Sequence, residues 1–202
     1  HYNVEQFKAQ QVARGYAPAT VNIHLACLKK LLQCAMEWGV IDDNPAKGVK
    51  KLKDHAQKWA FLDFDEAEVF LRATPERWRP MFKVTMHTGM RLGEARALRW
   101  RDVDWENQII NIRHTLYKGE LHPPKSKESV RTVNLTADAL ETLQALRRKA
   151  ESLESVCVLS SRNGPPVQPK NVHDAIATAN RAAGFDKRIR YHALRPTFGT
   201  QL

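Results

Sequence analysis

The chain has 202 residues, 43% hydrophobic and 27% charged, enough for a buried core in one full domain plus part of a second. Lys and Arg total 32 against 22 Asp and Glu, a net charge of +10, and that basic balance points to nucleic acid as the partner. No apolar run is long enough to span a bilayer and no signal segment opens the chain, so a cytoplasmic, nucleoid-associated protein is expected.

Residues 2–14 read as a helix stopped by Gly15. Residues 19–38 form the clearest helix, because Val21, Leu25, Leu28, Leu32 and Ala35 recur at alternating spacings of four and three. A polar stripe beside that face carries Asn22, Lys29, Lys30 and Gln33, candidates for contact with a DNA backbone. The stretch "NPAKGVKKLKDHAQK" (44–58) holds Pro45, Gly48 and five lysines and reads as a basic linker. A domain boundary is expected there, dividing the chain into 1–57 and 58–202. Past it, Asp63 and Glu66 predict a capping box opening a helix over 64–73. Helices near 77–88 and 91–99 follow. Three alternating, β-rich segments, "QIINIRHTLYKG", "ELHPPKSK" and "SVRTVNL", predict a small antiparallel sheet. Helices over 136–153, 169–183 and 193–201 complete the pattern, with the apolar "VCVLS" (156–160) of undecided type between the first two. The expected class is mainly α with a small antiparallel β-sheet (α+β).

Cys27, Cys34 and Cys157 cannot all pair, and buried thiols are expected rather than a disulfide. The histidines show no zinc-type spacing, so neither a metal nor another cofactor is expected.

In "TGMRLGEARAL" (88–98), Gly89 ends one helix and Arg91 opens the next, where a guanidinium beside unpaired helix N–H groups suits an anion. Glu94 lies one turn along, a spacing common in surface ion pairs. The hairpin "HPPKSKESVR" carries Lys125 and Lys127, either of which can reach a phosphate or donate a proton, or simply face water. "HALR" adds His192 and Arg195, about one helical turn apart.

Taken in order, "TGMRLGEARALRWRDVD" (88–104), "PPKSKESVRTVNL" (123–135) and "HALRPTFGTQL" (192–202) resemble the tyrosine recombinases of the phage integrase type. Residues 16–50 are similar to that family's core-binding domain, so the resemblance covers nearly the whole chain. It implies site-specific recombination or integration of a mobile element. A tyrosine hydroxyl attacks duplex DNA to form a 3′-phosphotyrosine link, and a freed 5′-hydroxyl later attacks that link. The transition state is stabilised by fixed cations without a metal. By motif, Arg91 and Arg195 clamp the non-bridging oxygens, His192 donates to the phosphate or assists proton transfer, and Lys125 protonates the leaving oxygen, with Lys127 as the alternative. Glu94 supports the arginines.

Two departures stand out. None of Tyr2, Tyr16, Tyr117 and Tyr191 occupies the nucleophile's place, so the chain is expected to be a fragment cut inside the catalytic domain, inactive alone and monomeric in solution. An intact parent would act as a tetramer on DNA. Pro196 stands where the family usually has histidine, and proline there disfavours the α conformation at Arg195. Two other readings compete: a non-catalytic DNA-binding protein derived from an integrase, and a type IB topoisomerase-like enzyme.

Overall fold

The computed structural model describes residues 1–54, 60–123, 130–150, 156–160 and 165–195. The chain divides into two compact units, His1–Lys58 and Trp59–Leu202. Seven α-helices and five short antiparallel strands among the described residues make it mainly helical, the α+β class.

In the first unit, α1 (Tyr2–Ala13) and α2 (Pro18–Glu37) pack as a pair. Proline opens α2 at a position whose backbone N–H has no helical partner anyway. Val21 and Leu25 are fully buried with Val4, Ala46 and Val49, while Leu28 and Leu32 pack at the margin. The segment expected to be a linker is not one over residues 44–52. Ala46 and Val49 are core residues, and Asn22 clamps Leu52 by donating to its carbonyl (3.0 Å) and accepting from its N–H (2.8 Å). Low apolar content concealed this, because two small side chains and backbone hydrogen bonds are enough to dock the segment. The cysteine expectation also needs correction. Cys27 is exposed and Cys34 and Cys157 are half-buried, since Cys27 lies about 200° around the helix from Leu25.

In the second unit, α3 (Phe64–Ala73) opens with the expected capping box. Asp63 accepts from the Glu66 N–H at 2.8 Å, and Glu66 accepts from the Asp63 N–H at 2.9 Å. A 3-10 turn, Glu76–Trp78, leads into α4 (Arg79–Thr88), which Gly89 ends with φ at 62°. Helix α5 (Leu92–Ala97) is shorter than the span expected. It stops because Asp102, in the next 3-10 turn, accepts the Arg99 N–H at 3.1 Å and turns the chain.

The β-rich region forms two sheets rather than one. Strands β1 (Val103–Asp104), β2 (Ile109–Ile112) and β5 (Arg131–Asn134) pair antiparallel in the order β1-β2-β5. Strands β3 (Thr115–Tyr117) and β4 (Glu120–His122) form a separate hairpin. Its two-residue turn, Lys118 and Gly119, has positive φ at both positions, the type I′ geometry that matches strand twist. Arg113 and His114 separate β2 from β3, and alternation alone does not reveal that the chain changes sheets there.

Helix α6 (Ala137–Ala150) packs on α4, and α7 (Pro169–Ala183) packs on α3. "VCVLS" runs beside residues 98–100, with Val158 donating to the Leu98 carbonyl at 3.0 Å. Beyond α7 the chain makes a 3-10 turn, Tyr191–Ala193. Residues 196–202, which include Pro196 and most of the last expected helix, lie outside the described residues. Phe70, Phe82, Met86, Ile110, Leu143, Tyr191 and Leu194 form the fully buried centre. No helix among the described residues is long and apolar enough to cross a membrane.

Candidate active site

The site begins at the end of α4. Gly89 takes the left-handed conformation that only glycine adopts without strain, and its carbonyl becomes an acceptor for two side chains. Arg195 donates through Nε at 2.7 Å, and Arg131 donates through Nη2 at 3.4 Å, near the long limit of a hydrogen bond.

Glu94 is the second centre. Its side chain is 3% exposed and accepts three charge-assisted or backbone bonds. These come from Arg91 Nη1 (2.9 Å), the Arg91 N–H (2.9 Å) and Arg131 Nη2 (3.0 Å). The expected surface ion pair is therefore half buried: the carboxylate is inside, and the Arg91 side chain remains 50% exposed. Burial alone would raise the Glu94 pKa, but the hydrogen bonds from Arg131 and Arg91 outweigh it and hold the carboxyl below its ordinary value. The backbone N–H that Glu94 takes is that of Arg91, the N-cap residue just before α5.

Burial, then the nearby charge of Arg91, lowers the pKa of Arg195, and Arg131 adds to the effect. An arginine stays protonated through such a shift. Three guanidiniums thus act on one small region that contains one carboxylate.

His192 is exposed on the turn Tyr191–Ala193, three residues before Arg195. Tyr191, next to it, is buried. Its hydroxyl lies 2.7 Å from Thr85 Oγ1, while that threonine donates to the Met81 carbonyl at 2.8 Å. The threonine proton is thereby committed, so Tyr191 is the donor. Desolvation pushes its pKa up, which keeps the phenol protonated and unsuited to nucleophilic attack. Lys125 and Lys127 lie outside the described residues.

Arg131 was missed from sequence, although a signal was present. Along "VRTVNL", Arg131, Val133 and Leu135 share one phase, and the latter two are buried. A charged residue in the inward phase of a strand marks a buried polar partner.

Two further contacts fix α5. Arg96 is buried and donates from Nε to the Val167 carbonyl at 2.6 Å. Gly93 faces β3, where an added Cβ would collide with Thr115 Oγ1 and come within 3.3 Å of the Leu116 carbonyl. Gly93→Ala is therefore expected to cost about 1–3 kcal/mol by overpacking. Thermal unfolding checks this, and an unchanged melting temperature would show that β3 yields freely.

The polar stripe on α2 is mostly engaged within the first unit. Asn22 holds Leu52, Lys29 donates to the Val49 carbonyl at 2.7 Å, and Gln33 donates to Glu37 at 3.2 Å. Lys30 is exposed. Among the described residues, no cluster of three or more His, Cys, Asp or Glu is arranged to hold a metal ion.

The second unit thus sets three arginines around one buried carboxylate and one glycine carbonyl within a mainly helical fold. The phage integrase family model matches residues 60–202, and the chain belongs to that family. It is 35% identical over 132 residues to the prophage integrase IntR of Escherichia coli (strain K12), covering 65% of this chain and 32% of IntR. It is 26% identical over 199 residues to the ICEBs1 integrase of Bacillus subtilis (strain 168), covering 95% of this chain and 52% of that protein. The chain thus spans about a third to a half of these relatives' length. The fold matches the Tn1549 transposon integrase in complex with transposon right end DNA, with a TM-score of 0.86 at 18% identity over 99% of this chain and 71% of that one.

Proposed function

We propose that this chain grips duplex DNA and holds one backbone phosphate for strand exchange in site-specific recombination. The observation that carries the reading is the joining of Arg91, Arg131 and Arg195 through two acceptors, Glu94 and the Gly89 carbonyl. Family membership, the DNA-bound Tn1549 relative of the same fold and the net charge of +10 support it. In this reading Arg91 and Arg195 bind the non-bridging oxygens and neutralise the charge that grows on them. His192, exposed three residues before Arg195 in the chain, donates to the same phosphate. A lysine between β4 and β5, Lys125 or else Lys127, protonates the leaving 5′-oxygen. Glu94 orients Arg91 and does not touch substrate. The tyrosine that forms the 3′-phosphotyrosine link is none of the four present, so the part assigned to these residues is phosphate capture. The reading places the protein on DNA in the cytoplasm, as a monomer when unbound, with the tetramer reserved for the complete recombination complex.

Fluorescence anisotropy of a labelled duplex, measured across a salt series, tests this. Log affinity should fall linearly with log salt, and Arg195→Met should lower the slope by about one as one phosphate contact is lost. The same slope and affinity in wild type and variant would remove Arg195 from the interface.

A further inference from the structure

We propose that Arg131 is the positioning residue of this cleft, setting the separation of Arg91 and Arg195 by bridging the two acceptors that hold them. The inference rests on the reading of Arg91 and Arg195 as the phosphate clamp. The geometry is specific. Glu94 fixes Arg91 at 2.9 Å, and the Gly89 carbonyl fixes Arg195 at 2.7 Å. One nitrogen of Arg131, Nη2, reaches both acceptors, at 3.0 Å and 3.4 Å. Arg131 stands on β5 and the acceptors on the α4–α5 segment, so this nitrogen ties the sheet to the helices at the site.

Packing alone does not account for the residue. Its side chain is 28% exposed and lies in the strand phase otherwise filled by Val133 and Leu135. An aliphatic residue there would contribute to the core without the desolvation cost of a cation. What the guanidinium adds is charge at a point between two acceptors. It shares Glu94 with Arg91, and it holds the Gly89 carbonyl beside the donor of Arg195. Because a single nitrogen makes both contacts, a lysine ammonium has the donors to replace it, whereas a methionine of similar stem has none.

That difference supplies the test. Wild type, Arg131→Lys and Arg131→Met are compared by NMR of the arginine side-chain N–H groups, with Arg91 and Arg195 signals assigned by substitution to lysine. Two quantities are read: hydrogen exchange at Arg195 Nε–H, and the affinity for inorganic phosphate from shifts of the Arg91 and Arg195 signals. Arg131→Met should speed exchange and weaken phosphate binding by about tenfold each, while Arg131→Lys stays within about threefold of wild type, the scale of one hydrogen bond lost or kept. Equal behaviour of the two variants, in either direction, overturns the proposal. If Arg131→Met does not fold, Arg131→Leu, which also has no donor, takes its place under the same criterion. If phosphate moves neither arginine in the wild type, the phosphate reading fails, and exchange at Arg195 still decides whether Arg131 positions it.

Discussion

Glu94→Leu should destabilise the second unit by about 3 kcal/mol, the low end for breaking a buried ion pair because Arg91 is half exposed and can rehydrate. The loss has three parts: two guanidiniums lose their shared counter-charge, the Arg91 N–H loses its acceptor, and the three site arginines repel without compensation. Urea unfolding measures it. A change below about 1 kcal/mol, the worth of an exposed pair, would mean that Glu94 is better hydrated than its burial implies.

The same group makes stability depend on pH, and the sign is fixed. The folded-state pKa of Glu94 lies below its unfolded value, because the hydrogen bonds from the arginines overcome the cost of burial. Its contribution is therefore complete above the unfolded pKa of about 4.3 and is lost as pH falls through the lower, folded value. The stability gap between wild type and Glu94→Gln should narrow across that acidic window and stay constant near neutrality. A gap that widens on acidification would reverse the assignment.

Tyr191→Ala should cost about 3–5 kcal/mol, the range for deleting a fully buried aromatic side chain. Tyr191→Phe should cost only about 1 kcal/mol, since it removes one buried hydrogen bond and leaves Thr85 bonded to the Met81 carbonyl. The functional consequences should separate differently. The phenylalanine variant keeps the ring that seats the turn, so Arg195 should keep its bond to Gly89 and DNA affinity should change little. The alanine variant should release the turn and weaken DNA binding even at temperatures where the unit remains folded. Calorimetry with the duplex-binding assay checks both. Equal DNA affinities for wild type and Tyr191→Ala would show that the turn is held by other contacts.

What could be read from sequence was local. The Asp63–Glu66 capping box, the apolar face of α2 and the stop at Gly89 each depend on residues within a turn or two of one another. Arg91, Glu94, His192 and Arg195 were legible as short-range pairs and, in order, as a family resemblance. What escaped was decided by partners distant in the chain. Residues 44–52 look like a linker until Asn22 and Lys29 are seen to bind their backbone. β3 looks continuous with β2 until the chain changes sheets. Arg131 announced itself only as a charge out of place, and which carboxylate it would meet was a matter of tertiary structure.

The reach of the contacts around Gly89 also bears on how the protein folds. Arg131 meets that carbonyl across 42 residues of chain, and Arg195 meets it across 106. Closing segments of that length lowers the chain's entropy before any contact compensates, so such meetings tend to come late. Helices and the β3–β4 hairpin require no such closure. The cation cluster is therefore expected to form late, after helices and the hairpin that need no such closure, so an intact cluster would report the finished topology rather than secondary structure.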